Sequence, residues 1–208
     1  MVESLARSQP FVRPARLGDE TAIGKIHVAS WQYFYKGHMP QDFLDSLDVD
    51  RRIEIWRQRL LASSIAADQD GGSLGSGVVV VVDNLPTAQE AQESGTEKIL
   101  GFARFNASRD NDAEPQRHIG ELGAIYLQPG STGVGLGRLL MKAVIAELVR
   151  LGYREATLWV LDVNESARTF YERMGWLEDG GVKFDSIGGV FLAREVRYRR
   201  SLITERLV

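Results

Sequence analysis

Residues 127–144 read LQPGSTGVGLGRLLMKAV and place glycines at 130, 133, 135 and 137, directly ahead of a run with helical character. A glycine in regular structure costs roughly 0.5–1 kcal/mol relative to alanine, so four in eight positions imply a backbone with a special task. The stretch leaves a strand-like run, IGELGAIYLQP (119–129), and opens a helix-like one. At such a junction the unpaired amides of the first helical turn can converge on an anion, and glycine lets a phosphate approach the backbone closely. Arg138 adds a cation in the first turn, where it suits a phosphate better than it suits the helix dipole. A pyrophosphate is the natural guest. The plainer reading, a tight strand-to-helix turn, needs only one or two of these glycines.

Downstream of the loop, a helix over 135–151 leads into a strand, EATLWVL (155–161), and a second helix, NESARTFYERMG (164–175). A strand-helix-strand unit implies a right-handed crossover and a parallel pair. Upstream, FVRPAR (11–16) reads as a strand. Asp19 stands as a helix cap, followed by Ala22, Ile26, Ala29 and Tyr33 at helical spacing. Ile53, Trp56 and Leu60 mark another helix. The run VVVVV (78–82), ILGFARFNA (99–107) and 119–129 form three consecutive strands, most simply an antiparallel meander, separated by polar segments at 68–77, 83–98 and before 119. Two further β-like stretches, near 181–185 and 189–200, close the chain. The predicted order is β-α-α-β-β-β-α-β-α-β-β in one mixed sheet. It forms a single domain over 11–202, with a flexible lead (1–10) and a short tail (203–208).

The chain has 208 residues, 44% hydrophobic and 25% charged, enough to bury one sizeable core. A net charge of −3 argues against a protein whose work is gripping a nucleic-acid backbone. The absence of cysteine excludes a disulfide scaffold, a thiol nucleophile and a cysteine-ligated metal. His27, His38 and His118 lack metal-ligand spacing, and no metal is expected. No apolar run approaches the roughly 20 residues of a membrane span, and MVESLARSQP has no apolar signal core, so a cytoplasmic location is expected.

Three phosphate-binding patterns compete for the glycine loop. A P-loop requires Gly-Lys-Ser/Thr, whereas the chain runs Gly-Leu-Gly-Arg over 135–138. A dinucleotide fingerprint gains from Asp162 at the end of the next strand, but its spacing is G-x-G-x-x-G and the preceding meander is foreign to that fold. A third pattern uses the whole segment. GGSLG (71–75) also matches a nucleophile elbow around Ser73, yet it lies between a helix and a strand rather than between a strand and a helix, and reads as a hinge.

Taken together, YLQPGSTGVGLGRLLMKAV and LWVLDVNESARTFYERMGW resemble the two core motifs of the GNAT superfamily, the acyl-CoA-dependent N-acetyltransferases. FVRPARLGDETAIGKIHVASW is similar to that family's opening strand and helix, so the likeness spans roughly 11–202. The resemblance implies an α/β (α+β) fold: a mixed, mostly antiparallel sheet, a parallel strand-helix-strand core and helices on both faces. It implies acetyl-CoA as acyl donor, held by the strand at Ile125, Tyr126 and Leu127, by the loop at Thr132, Gly133, Val134, Gly135, Leu136, Gly137 and Arg138, and by Asn164 and Ala167. Thr132 stands where the family usually carries Gln or Arg, one donor fewer.

Tyr171 shares an apolar stripe with Ala167, Phe170 and Met174, which by itself describes a core aromatic. In the family the matching tyrosine faces the cofactor sulfur, where a proton donor is wanted for the departing thiolate. Asn164 opens its helix and suits an N-cap as well as cofactor contact. Glu121 is a candidate general base acting through water, or a solvated strand residue. Strict alternation places it with Gly123, Ile125 and Leu127 on one face unless a bulge intervenes. Trp31 and Tyr35, from the aromatic-rich WQYFYKGHMP (31–40), are candidates to line the acceptor site. The expected reaction is direct acetyl transfer to a primary amine of a small molecule or peptide, with an amide near Ile125 stabilising the oxyanion. A homodimer is a family-level expectation. A nicotinamide-dependent oxidoreductase using Asp162 and a non-catalytic acyl-CoA-binding protein are the alternatives.

Overall fold

A computed structural model describes residues 9–68, 75–83, 97–110, 118–187, 189 and 191–203, with side chains from 64 to 68 left aside. The elbow-like Ser73, most of the lead and most of the tail lie outside these residues.

The chain runs β1 (Phe11–Pro14), α1 (Glu20–Phe34), α2 (Gln41–Asp45), α3 (Val49–Asp68), β2 (Gly77–Asp83), β3 (Lys98–Ala107), β4 (Ile119–Leu127), α4 (Leu136–Arg150), β5 (Glu155–Leu161), α5 (Glu165–Arg173), β6 (Leu177–Ile187) and β7 (Phe191–Ser201). The seven strands form one sheet in the order β1-β2-β3-β4-β5-β7-β6. Every neighbouring pair is antiparallel except β4 with β5, joined through α4 as the crossover rule requires. The short α2 has no clear periodic signal and was not anticipated from the sequence.

The valine run of β2 is buried along its length because both faces of the sheet are covered. On one face Leu136, Leu140, Met141, Val144 and Leu148 of α4 pack on Val79, Val81, Ala103, Phe105 and Leu122. On the other, Ile23 and Ile26 of α1 and Trp56 and Leu60 of α3 pack on Val78, Val80, Val82 and Phe102. A third cluster joins Met39 and Leu44 to Leu161 and Ala193, with Trp31 and Tyr35 against it.

Asp19 stands at the N-cap of α1, as expected, but its side chain makes no cap bond. Its carboxylate receives both Nη atoms of Arg13, at 2.7 and 3.0 Å, and the Arg16 amide at 2.8 Å, which ties β1 to the helix entry. Burial opposes that carboxylate's charge, yet these bonds leave its pKa below the usual range.

Candidate active site

The parallel pairing of β4 with β5 ends at Leu122 opposite Leu158, while β4 continues to Leu127 and β5 stays paired on its other edge with β7 from Glu155 to Leu161. The two central strands therefore part, and the far edge of β4 is left without a neighbouring strand. The Gln128 amide bonds the Leu100 carbonyl of β3. Alternation then turns the Tyr126 amide toward β3 and the Ile125 and Leu127 amides toward the opening. The buried Ser30 hydroxyl donates to the Leu127 carbonyl at 2.7 Å, satisfying one group on that edge from α1.

The glycine loop closes one end of the opening. Gly130, Gly133 and Gly135 have φ of +86°, +79° and +91°, values that L side chains rarely adopt. A Cβ on any of them would meet nothing within 4 Å, so the surface they form is open. Gly135 is the N-cap of α4, and no side chain caps that helix. Among the described residues no group accepts from the amides of Leu136, Gly137 and Arg138; the first intrahelical bond runs from Leu139 to Gly135. Thr132 and Val134 are exposed, whereas the Leu136 side chain is core, leaving only its amide for a ligand. Gly137 differs from the other three. A Cβ there would lie 3.4 Å from Phe170 and 3.8 Å from Leu127, so it sets the approach of α4 to α5 and β4. Arg138 lines a depression of about 410 Å³ with Lys142, Arg173 and Arg200, a row of cations continuing from the loop.

Glu121 departs from simple alternation. Arg104 lies opposite Ala124 but Phe105 lies opposite Leu122, so Gly123 is an extra residue in β4, a β-bulge. Leu122, Ile125 and Leu127 consequently face α4, while Ala124 and Tyr126 face α1 and α3. Glu121, on the pleat opposite Leu122 and paired with Asn106, joins the second group. It is also not a solvated strand residue: it is buried and accepts Arg109 Nη2 at 3.0 Å.

On that face Tyr126 stacks on His27 with centroids 4.9 Å apart, and Trp31 meets Tyr35 edge-on at 5.3 Å. The Tyr126 and Tyr171 phenols both bear on Tyr35, whose hydroxyl is held well above its usual pKa, first by burial. The two expected acceptor aromatics thus converge on β4, whereas Tyr33 turns outward. His27 was missed by sequence reasoning. Its Nδ1 accepts Trp56 Nε1 at 3.1 Å, and burial, then Arg52 and Arg59, push its pKa down to about 3.

Tyr171 is buried between Phe170 and Tyr198, and among the described residues its hydroxyl has no hydrogen-bond partner. Burial and the nearby Tyr126 phenol push its pKa well up, so the proton stays on the oxygen across the physiological range. Asn164 caps α5, its Oδ1 accepting the Ala167 amide at 3.1 Å. Ala167 therefore offers no free amide, and the Asn164 side chain retains its Nδ2 and the second lone pair of Oδ1 for another contact. Asp162 is engaged by Arg168 at 3.0 Å and by Arg194. With that carboxylate committed and only one parallel strand pair, the dinucleotide alternative has neither its ribose ligand nor its sheet.

The sequence profile of the acetyltransferase (GNAT) family matches residues 42–176. An N-acetyltransferase of Bacillus subtilis, YuaI, itself uncharacterised, is 30% identical over 161 residues, covering 77% of this chain and 76% of its own. A mycothiol acetyltransferase of Geodermatophilus obscurus is 35% identical over 80 residues, 38% of this chain and 26% of its own. Among solved structures, the Thermoplasma acidophilum PaiA N-acetyltransferase in complex with coenzyme A superposes with a TM-score of 0.61 at 15% identity, covering 93% of this chain and 99% of its own. The Salmonella typhimurium yncA structure with its cofactor acetyl-CoA gives 0.62 at 18%, covering 97% and 98%. Such identities carry the fold alone, and the fold agrees. By its parted central strands, its glycine-capped helix and a family profile that spans well over half its length, this chain belongs to the GNAT family of acetyltransferases.

Proposed function

We propose that the protein transfers an acetyl group from acetyl-CoA to a primary amine of a small molecule or peptide by direct attack, without a covalent enzyme intermediate. The observation that carries the reading is the parting of β4 from β5 beside a helix start with unclaimed amides. The residues present fit the donor. The amides of Leu136, Gly137 and Arg138, reached across open glycine surface, suit a pyrophosphate, and the Ile125 and Leu127 edge of β4 suits the amide groups of a pantetheine arm. Bound there, the thioester supplies an activated acetyl group.

The chain's own groups then have definite tasks. The Ile125 amide donates to the thioester carbonyl oxygen as charge develops on it. Glu121 accepts the proton that the acceptor's ammonium must shed, directly or through one water. Tyr171 holds a hydroxyl whose raised pKa keeps it protonated, and it donates toward the sulfur as that atom becomes a thiolate. Trp31 and Tyr35 bound the acceptor and limit water on its side. Free-thiol release from acetyl-CoA, followed across a panel of amines, tests the assignment. Acetyl-CoA near 100 times its Kd should stabilise the fold by about 2.7 kcal/mol, with NAD giving no shift. Absence of thiol release with every amine would reduce the protein to an acyl-CoA binder.

A further inference from the structure

The face that carries Glu121 also carries arginines that pair with no carboxylate among the described residues. Arg104 stands on β3 opposite Ala124, one residue from the bulge and level with the opening between β4 and β5. It is half-buried, and its Nη1 lies 3.2 Å from the point where a Cβ on Gly123 would sit. Arg59 of α3 lies over the Trp56 ring at 4.8 Å, and that ring meets Phe102 edge-on at 4.9 Å, which fixes the guanidinium above the same sheet face. Arg52 is two turns earlier on α3. Among the described residues none of Arg52, Arg59 and Arg104 has a carboxylate within ion-pair distance, and Arg109 has only Glu121.

Arg109 thus bonds the Glu121 carboxylate and Arg104 lies within its reach, while Arg59 stands within electrostatic reach of Arg104, Arg52 and Arg109. Arg59 is held below its ordinary pKa by burial and then by Arg104, Arg52 and Arg109. Arg104 is lowered by burial and by Arg109, with Glu121 opposing. Partly buried cations such as Arg52 and Arg104, with like charges nearby and no counter-charge of their own among the described residues, cost stability unless an anion joins them. Another carboxylate on the acceptor side, Glu195 beside Tyr35 and Tyr126, is occupied by Lys183 at 3.1 Å. Asn106 Oδ1 is buried without a partner among the described residues and lies 3.0 Å from the same Gly123 Cβ point, and Asn106 stands opposite Glu121 in the strand register.

We propose that the acceptor is a small amine that also carries an anionic group, a carboxylate or a phosphate. Its nitrogen is taken by Glu121 and Asn106 Oδ1, and its anion is held by Arg104 and Arg59 with Arg109 at the rim. The proposal rests on the acetyltransferase reading and narrows it from amines in general to zwitterionic or anionic ones. The arrangement sorts the two ends of such a molecule: acceptors of N–H lie at the β4 bulge, and forked donors that match carboxylate and phosphate oxygens lie toward α3. The same cations lower the acceptor ammonium's pKa and favour the neutral amine that attacks.

The test uses matched acceptor pairs that differ only in the anion: α-amino acids against their decarboxylated amines, and aminoalkyl phosphates against the amino alcohols. The wild-type protein should show kcat/KM at least about 10-fold higher for the anionic member of one pair series, and which series responds separates carboxylate from phosphate. In Arg104→Gln and, separately, in the surface-helix variant Arg59→Gln, that ratio should fall toward one, chiefly through KM, while the thermal shift given by acetyl-CoA is retained. Neutral amines or diamines used as well as their anionic counterparts would overturn the proposal, as would a ratio unchanged in both variants. Both outcomes leave acetyl transfer itself intact. Absence of thiol release with every amine tried would instead remove the acetyltransferase reading, and this proposal with it.

Discussion

Acidification should destabilise this fold through His27 in a way that can be calculated. The imidazole is 6% exposed, enclosed by Trp56, Phe102 and Tyr126, and its pKa is pushed from 6.5 to about 3 by burial and by Arg52 and Arg59. The folded chain keeps it neutral, with Nδ1 accepting the Trp56 indole, while the unfolded chain takes up a proton below pH 6.5. The unfolded state then binds more protons, so this contribution is fully present above pH 6.5 and is lost as pH falls from 6.5 toward 3. At about 1.4 kcal/mol per unit, pH 5 lies about 1.5 units into that window and costs about 2 kcal/mol. With a urea m-value of about 2–3 kcal/mol/M, the midpoint should drop by roughly 1 M between pH 7 and pH 5. His27→Gln keeps an acceptor for Trp56 but cannot titrate. It should be less stable at pH 7 and should lose that part of the pH dependence, so the two proteins converge as the pH falls. Urea melts of both at pH 7, 6 and 5 give the comparison, in which carboxylates common to both cancel. Parallel pH dependences would show that His27 takes its proton in the folded state, and the reasoning from burial would fail.

Gly135→Glu should fold, because a Cβ at Gly135 meets no neighbour, with a loss of about 1–2 kcal/mol for the left-handed backbone. It should abolish the thermal shift given by acetyl-CoA, and a retained shift would remove the pyrophosphate assignment. Tyr171→Phe should lower kcat by roughly 100-fold or more with little change in acetyl-CoA affinity; a kcat within about threefold of wild type, where chemistry limits the rate, would leave Tyr171 as core. Asn164→Ala should cost about 1 kcal/mol through the lost cap, read as a fall of about 2–4 °C in Tm. An unchanged Tm would show that the bond to the Ala167 amide contributes nothing.

The periodic parts of the fold were legible because each signal is local. The valine run, the EATLWVL strand and the apolar stripe of α4 carry their own patterns, and each forms the expected element. The meander followed by a parallel unit also follows from segment order. What sequence could not supply were pairings between distant residues. Asp19 looks like a cap until Arg13, on the neighbouring strand, takes its carboxylate. Asp162 looks free until α5 and β7 bring Arg168 and Arg194 to it. Tyr171 and Asn164 were found by motif, but the unpartnered hydroxyl of one and the cap made by the other needed coordinates. The arginines at 52, 59, 104 and 109 come from α3, from β3 and from the segment just after β3, and no spacing announces their meeting.

The single residue with the widest consequence is Gly123. Without the bulge, Glu121 would point with Ile125 and Leu127 into the side covered by α4, where leucines, Met141 and Phe170 offer a carboxylate nothing. The extra residue reverses the pleat at that point. The donor face of β4 keeps its apolar side chains against α4 and α5, and Glu121 moves to the face of Tyr126, Arg104 and Arg109. A glycine is suited to the position because any side chain would press on Asn106 and Arg104, the two groups that here frame the carboxylate. Reading β4 as a regular strand therefore gives the right element and the wrong face for Glu121: the division into donor and acceptor sides that we propose rests on one inserted residue, visible only in the register of β4 against β3.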